Sequence, residues 1–270
     1  MPDLIFRVDT HTTRAFHGHP VTVCILEKPR DRPWMREVSR AMNTSEAAFL
    51  LSRGPNRFDL RTMSGGIEVE MAASASLAAA HVLFTHSLAD PRRSIAFFTR
   101  MGSIPAMLEN GIYEINFPAL VLEELLDPPD EILQGVDPAP EFAGRRGDDY
   151  FVQVASEDQL RDIRPDFNLL RAMGMQSLIV TSVATFTTSQ DFVSRTFHIP
   201  TPLEDPIASY APFLLAPFWF LRLGKSPLRS LQRSRTFSRT TDHALRLAID
   251  TDRVTLLGEA VTVFEGELKI

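Results

Sequence analysis

Met42-Asn-Thr-Ser-Glu46 sets a carboxyl group between the end of one amphipathic segment and the start of an apolar one. A glutamate at such a junction can serve as a general acid or base if burial shifts its proton affinity; it can equally be a solvated side chain at a Ser45 turn. Asp205, ahead of Pro206, offers a second carboxylate and reads equally well as a turn or N-cap aspartate. Two carboxylates facing each other across a cleft would suit proton shuttling. Small residues at Ala72-Ala73-Ser74 and at Ser209 stand where helices are expected to begin. Helix starts present backbone N–H groups and partial positive charge, so two of them face to face would clamp an anion. Ordinary capping by Ser74 and Ser209 accounts for the same residues. His11, His17 and His19, three of the seven histidines, share one polar segment. No Asp, Glu or Cys spacing completes a recognisable metal site around them, so no metal is expected, and a surface loop or a single catalytic imidazole is the reading.

The elements that must position these groups follow from hydrophobic periodicity. Residues 4–8 and 21–26 read as strands flanking the histidine segment, and Trp34, Val38 and Met42 at i, i+4, i+8 predict an amphipathic helix over 33–43. Short strands are expected at 47–51, 58–61 and 67–71. Residues 72–84, alanine-rich and nearly uncharged, predict a helix buried on most sides. Asn110-Gly111 between two alternating runs is a hairpin signal. After a Pro/Asp/Glu-rich connection over 120–147 the order of elements partly repeats: strands at 150–154, 178–185 and 192–197, a helix at 165–173, then Glu204-Asp205-Pro206, Ser209 and an apolar helix to Leu223. Two structural copies are therefore expected, residues 1–118 and 119–270, with the last strand able to return to the first copy. A ligand cleft would lie between them. Phe213, Phe218, Trp219 and Phe220 could line a pocket, but at helical spacing they are more often core. The basic stretch from Arg222 to Arg239 reads as loop-like, solvated surface.

Composition narrows the function. With 270 residues, 44% hydrophobic and 23% charged, the chain is neither disordered nor a coiled coil. A net charge of -6 gives no attraction to phosphate backbones, so nucleic acid is not the expected partner. Cys24, the single cysteine, cannot form an intrachain disulfide, which suits a reducing, cytoplasmic location. The charged first residues lack the apolar stretch of a secretory signal, and the most apolar run, residues 211–221, is too short to span a bilayer and reads as a buried helix.

Several motifs in order resemble the phenazine-biosynthesis PhzF-like family, relatives of diaminopimelate epimerase, over nearly the whole chain. They are Phe16-His-Gly-His-Pro-Val-Thr-Val23, Met42-Asn-Thr-Ser-Glu46, Leu60-Arg61 through Ile67-Glu-Val-Glu-Met71 to Leu77-Ala-Ala-Ala80, and Asp191-Phe-Val-Ser-Arg195. Glu204-Asp-Pro206, Leu215-Ala-Pro217 and Gly258-Glu-Ala-Val-Thr-Val-Phe-Glu-Gly266 continue the series. The resemblance implies an α+β fold of two pseudosymmetric lobes, each a curved mixed sheet around a central helix, with a cofactor-free site between them and a homodimeric assembly. It implies that Glu46 moves a proton on a small carboxylic acid.

The departures are as specific as the matches. Ala73-Ser74 stands where the family usually has glycine-histidine, and Ala208-Ser209-Tyr210 where it has threonine-glycine-serine; Pro212 follows. Bulky Tyr210 should narrow the cleft. Gly18-His19-Pro20 replaces the usual Gly-Asn-Pro, so His19 is expected to supply the imidazole that Ser74 does not. The resulting expectation is an isomerase, epimerase or cyclase, the last including a pericyclic step, with Glu46, Asp205 and His19 as catalytic groups and Ala73, Ser74, Ser209 and Tyr210 holding a small specialised metabolite. The alternative is a binding protein that keeps the fold without catalysis.

Overall fold

The computed structural model describes residues 3–186, 189–205, 210–234 and 241–269, with side chains for all of these but 203, 205, 232–234 and 241–243. The fold is a mixed α+β one. The chain divides into two units, residues 1–118 with 250–270, and residues 119–249. No helix among the described residues is long and apolar enough to cross a membrane.

The first unit runs β1 (Leu4–Thr10), β2 (His19–Leu26), α1 (Arg32–Met42), β3 (Glu46–Gly54), β4 (Arg57–Ser64), β5 (Ile67–Val69), α2 (Ala73–Thr85), β6 (Ile95–Thr99), β7 (Gly102–Glu109) and β8 (Ile112–Pro118). The second contains β9 (Glu123–Glu124), α3 (Asp130–Gly135), β10 (Phe142–Arg146), β11 (Asp149–Gln153), α4 (Glu157–Asp162) and α5 (Phe167–Ala172). It goes on through β12 (Ser177–Val183), β13 (Phe192–His198), β14 (Leu203–Asp205), α6 (Ala211–Leu223), β15 (Leu228–Ser234) and β16 (Thr241–Asp250). Then β17 (Arg253–Gly258) pairs antiparallel with β8, and β18 (Ala260–Glu267) with β1, which returns the chain to the first unit.

In that unit β1 pairs antiparallel with β2, β2 runs parallel to β3 through the α1 crossover, and β4 runs parallel to β6 through the α2 crossover. The sheet curves around α2, which packs against β1, β2, β3, β7, β8 and β18. The sequence of α2 suits this position, and its residues 73–84 are all buried: alanines let strands approach on every side, and Leu77, Val82 and Leu83 fill the remainder. Its period carries no polar stripe, because it has no solvent face. On the other face of the sheet α1 shows ordinary amphipathicity. Asp31 caps it by accepting from the Trp34 amide at 2.9 Å, and Asn43 ends it in the left-handed region at φ 51°. Trp34, Val38 and Met42 pack on Phe49 and Met63. The hairpin β7–β8 turns at Asn110 and Gly111, both with positive φ, as the sequence requires.

The second unit repeats this wiring. β11 runs parallel to β12, β12 antiparallel to β13, β13 antiparallel to β14 and parallel to β15, as β2, β3, β4, β5 and β6 do. The helix after β14, α6, is again apolar, and it is buried up to Trp219 except at Pro217, with Leu221 and Leu223 exposed; Phe213 and Trp219 belong to the core, with Trp219 stacked on Phe192 and its indole N–H donating to Thr181 Oγ1 at 3.0 Å. Residues 228–234 form β15, so the basic stretch is in part a strand and not a loop; Arg235 and Arg239 lie outside the described residues. Its serines and arginines obscure the alternation, because the buried partner of Leu228 on one face is Ser230 while Leu231 is buried on the other.

Candidate active site

Glu46 is the first residue of β3, opposite Val21 of β2 and Ser64 of β4. The Thr44 hydroxyl donates to the Glu46 carbonyl at 2.9 Å and so fixes the turn into the strand. Strand alternation puts Glu46, Ala48 and Leu50 on one face and Ala47 and Phe49, which pack under α1, on the other. The glutamate therefore faces the central helix. It is 1% exposed, and its Oε2 accepts from the Ala75 amide at 2.9 Å.

That contact explains how α2 begins. Its N-cap is Ala72, which has no side chain able to cap, and the ladder opens with Ser76 N–H on the Ala72 carbonyl at 3.0 Å. A carboxyl group from a neighbouring strand supplies what the local sequence lacks, an acceptor at the positive end of the helix. Capping by Ser74, one of the two sequence readings, is not what occurs. Ser74 is the second helical residue, fully buried, and its Oγ lies 3.0 Å from His11 Nε2. Ala73 precedes it, also buried.

The imidazole at Ser74 is thus that of His11, a histidine to which the sequence reading assigned no role in the site. His19 is buried at the start of β2, and its Nε2 lies 2.9 Å from the Ser45 hydroxyl, immediately before Glu46. The reason is the path of the connection between β1 and β2. His11 and Phe16 both take left-handed backbone conformations, at φ 59° and 68°. The His11 amide donates to the Glu259 carbonyl at 2.8 Å, and the Phe16 amide to Asp9 Oδ2 at 2.6 Å. The turn passes so close to β1 that a Cβ at Gly18 would lie 2.5 Å from the Thr10 carbonyl oxygen. No periodicity encodes such a path. Among the described residues no group of three or more His, Cys, Asp or Glu side chains is placed to hold a metal ion.

In the second unit, the equivalent of Glu46 is Ser177: it opens β12 and pairs with Asp149 of β11 and with His198, the last residue of β13. Its hydroxyl donates to Asp149 Oδ1 at 2.6 Å and makes a short hydrogen bond with the Tyr210 hydroxyl. Tyr210 is the N-cap residue of α6 and is half-buried. The strand start and helix start are thus joined in both units, by a carboxylate in the first and by two hydroxyls in the second. Asp205 ends β14, its backbone opposite Thr196, and Ser209 lies outside the described residues.

Sequence reasoning passed over the pairs that hold these strands. Arg61 donates twice to Glu68, at 2.7 and 2.9 Å, across β4 and β5, and Arg195 twice to Glu204, at 2.7 and 3.0 Å, across β13 and β14. Bonding to Arg61, reinforced by Arg32, holds Glu68 down to about 2 against the opposing effect of burial. Glu68 is therefore a fixed anion and not an acid or base. It lines a cavity of about 780 Å³ with Met35, Phe49 and Phe98, on the α1 side of the sheet, opposite to Glu46.

The chain matches the PhzC-PhzF family, phenazine biosynthesis-like protein, over residues 8–266. It is 34% identical to an uncharacterized isomerase of Halalkalibacterium halodurans over 265 residues, 98% of this chain and 97% of that one. An uncharacterized isomerase of Pseudomonas aeruginosa is 32% identical over 269 residues, 98% of each chain. The solved structure of a PhzF-family phenazine biosynthesis protein from Enterococcus faecalis is similar with a TM-score of 0.82 at 28% identity, covering 100% of both chains.

Proposed function

Because this chain belongs to the PhzC-PhzF family of phenazine biosynthesis-like proteins, we propose that it is an isomerase that relocates a proton on a small organic acid, with Glu46 as the acid–base group. The observation that carries this reading is the glutamate itself. It is a carboxyl group 1% exposed, opening a strand, with one oxygen fixed by a main-chain amide at the start of a buried helix. A carboxyl held there meets a substrate in one orientation, without the reorganisation that a solvated side chain would need. It takes the proton from one carbon of the substrate and returns it to another, or to the other face of the same carbon. Ring closure assisted by the same acid is a variant of this chemistry. His19 and Asp205 are proposed to assist Glu46, and Ala73, Ser74, Ser209 and Tyr210 to hold the substrate. A homodimeric, cytoplasmic, cofactor-independent enzyme is part of the proposal.

The presence of Ser74 where the family carries histidine favours a second reading, a binding protein without turnover. Deletion of the gene in the source organism, followed by restoration with wild type or Glu46→Gln, separates the two. The isomerase reading expects a metabolite that disappears on deletion, returns with wild type and stays absent with Glu46→Gln. Return of the metabolite with both would remove Glu46 from the chemistry.

A further inference from the structure

We propose that Ser74 and His11 form a proton relay that works beside Glu46, the Ser74 hydroxyl meeting the substrate and the His11 imidazole supplying or taking up the proton behind it. The inference rests on the reading of Glu46 given above and adds the second half of the proton transfer.

Three observations carry it. The first is adjacency: Ser74 Oγ lies 3.0 Å from His11 Nε2, and the next residue, Ala75, is the one whose amide holds the Glu46 carboxylate. An imidazole, a hydroxyl and a carboxyl thus converge on the first turn of one buried helix. The second is that Ser74 has no capping duty, since it sits inside the helix and not at its N-cap. The third is placement: the His11 amide donates to the Glu259 carbonyl at 2.8 Å and the residue sits at φ 59°, a left-handed conformation that histidine adopts readily, which fixes where its imidazole stands.

The proton count closes. The relay requires a starting state with Glu46 ionised and His11 as an imidazolium. Glu46 removes a proton from one carbon as the electron pair moves along the conjugated system. Ser74 donates its hydroxyl proton to the far end and is reprotonated by His11 Nε2. The substrate leaves with its atoms unchanged in number, Glu46 protonated and His11 neutral, and exchange of one proton each with water resets both groups.

The test uses purified full-length protein acting on a soluble extract of the deletion strain, with substrate loss and product gain followed by mass spectrometry. His11→Gly removes the imidazole while accepting the left-handed backbone, so the fold is kept. It should slow turnover by about 10²- to 10⁴-fold, and added imidazole should restore part of it. Ser74→Ala should be slowed as much without imidazole rescue. His11→Asn, which also tolerates the backbone, should be slow and refractory to imidazole because the space is filled. The relay is overturned, with Glu46 standing, if Glu46→Gln is inactive while His11→Gly keeps the wild-type rate or is slowed without rescue. A Glu46→Gln protein as fast as wild type, or a wild type with no turnover, overturns both readings.

Discussion

Replacing Glu46 tests whether a strand residue caps the central helix, and it separates fold from chemistry. In Glu46→Gln a side-chain oxygen still reaches the Ala75 amide, so the helix start keeps its acceptor and loses the charge of an ionised carboxyl, worth about 0.3–2 kcal/mol. In Glu46→Ala the buried amide loses its acceptor as well, a further ~1–3 kcal/mol. The measurement local to this helix start is native-state hydrogen exchange at the Ala75 amide. Exchange in Glu46→Ala should exceed that in Glu46→Gln by about 5- to 150-fold, the orphaned-amide cost expressed as a ratio. Equal exchange in the two variants, or no change from wild type in either, would refute the capping argument. The same pair then gives a clean reading of turnover, because Glu46→Gln keeps the helix start.

Two further outcomes are expected. His81 lies in α2 between the Tyr113 hydroxyl and the Thr262 hydroxyl, each 2.9 Å away, and burial pushes its pKa from 6.5 down to about 4. The unfolded state binds the proton first, so stability should be full above about pH 6.5 and fall toward pH 4 by about 3 kcal/mol, and thermal melts of His81→Gln should lack this slope. Removing Glu204 strands the Arg195 charge, which is 4% exposed, so Glu204→Ala should cost about 3–5 kcal/mol in denaturant titration while Arg195→Met/Glu204→Leu recovers most of it; equal losses would refute the pairing.

How much of this was legible in the sequence depended on whether the cause was local. The alanine run of α2 announced a helix without a wet face, Asn110-Gly111 announced its hairpin, and the position of Glu46 before an apolar strand marked it for attention. The cap of α2 was not legible, because its donor and acceptor lie 29 positions apart and meet only when β3 packs on the helix. Nor was the placement of His11 at Ser74. That placement turns on two left-handed residues in a connection whose composition fits many paths. β15 escaped notice because buried Ser230 occupies a site where alternation would show an apolar residue.

The return of β17 and β18 to the first unit has a consequence for synthesis. Leu4 pairs with Glu267 and Tyr113 with Gly258, so β1 and β8 each leave the ribosome long before the strand that covers them. At about 5–20 residues per second, β1 waits roughly 10–50 s for β18. During that interval the nascent chain carries two open strand edges able to recruit other chains. Residues 119–249 form a contiguous unit and meet no such delay. The order of maturation is therefore the reverse of the order of emergence: the unit that begins the chain, and that carries Glu46, is the last to close.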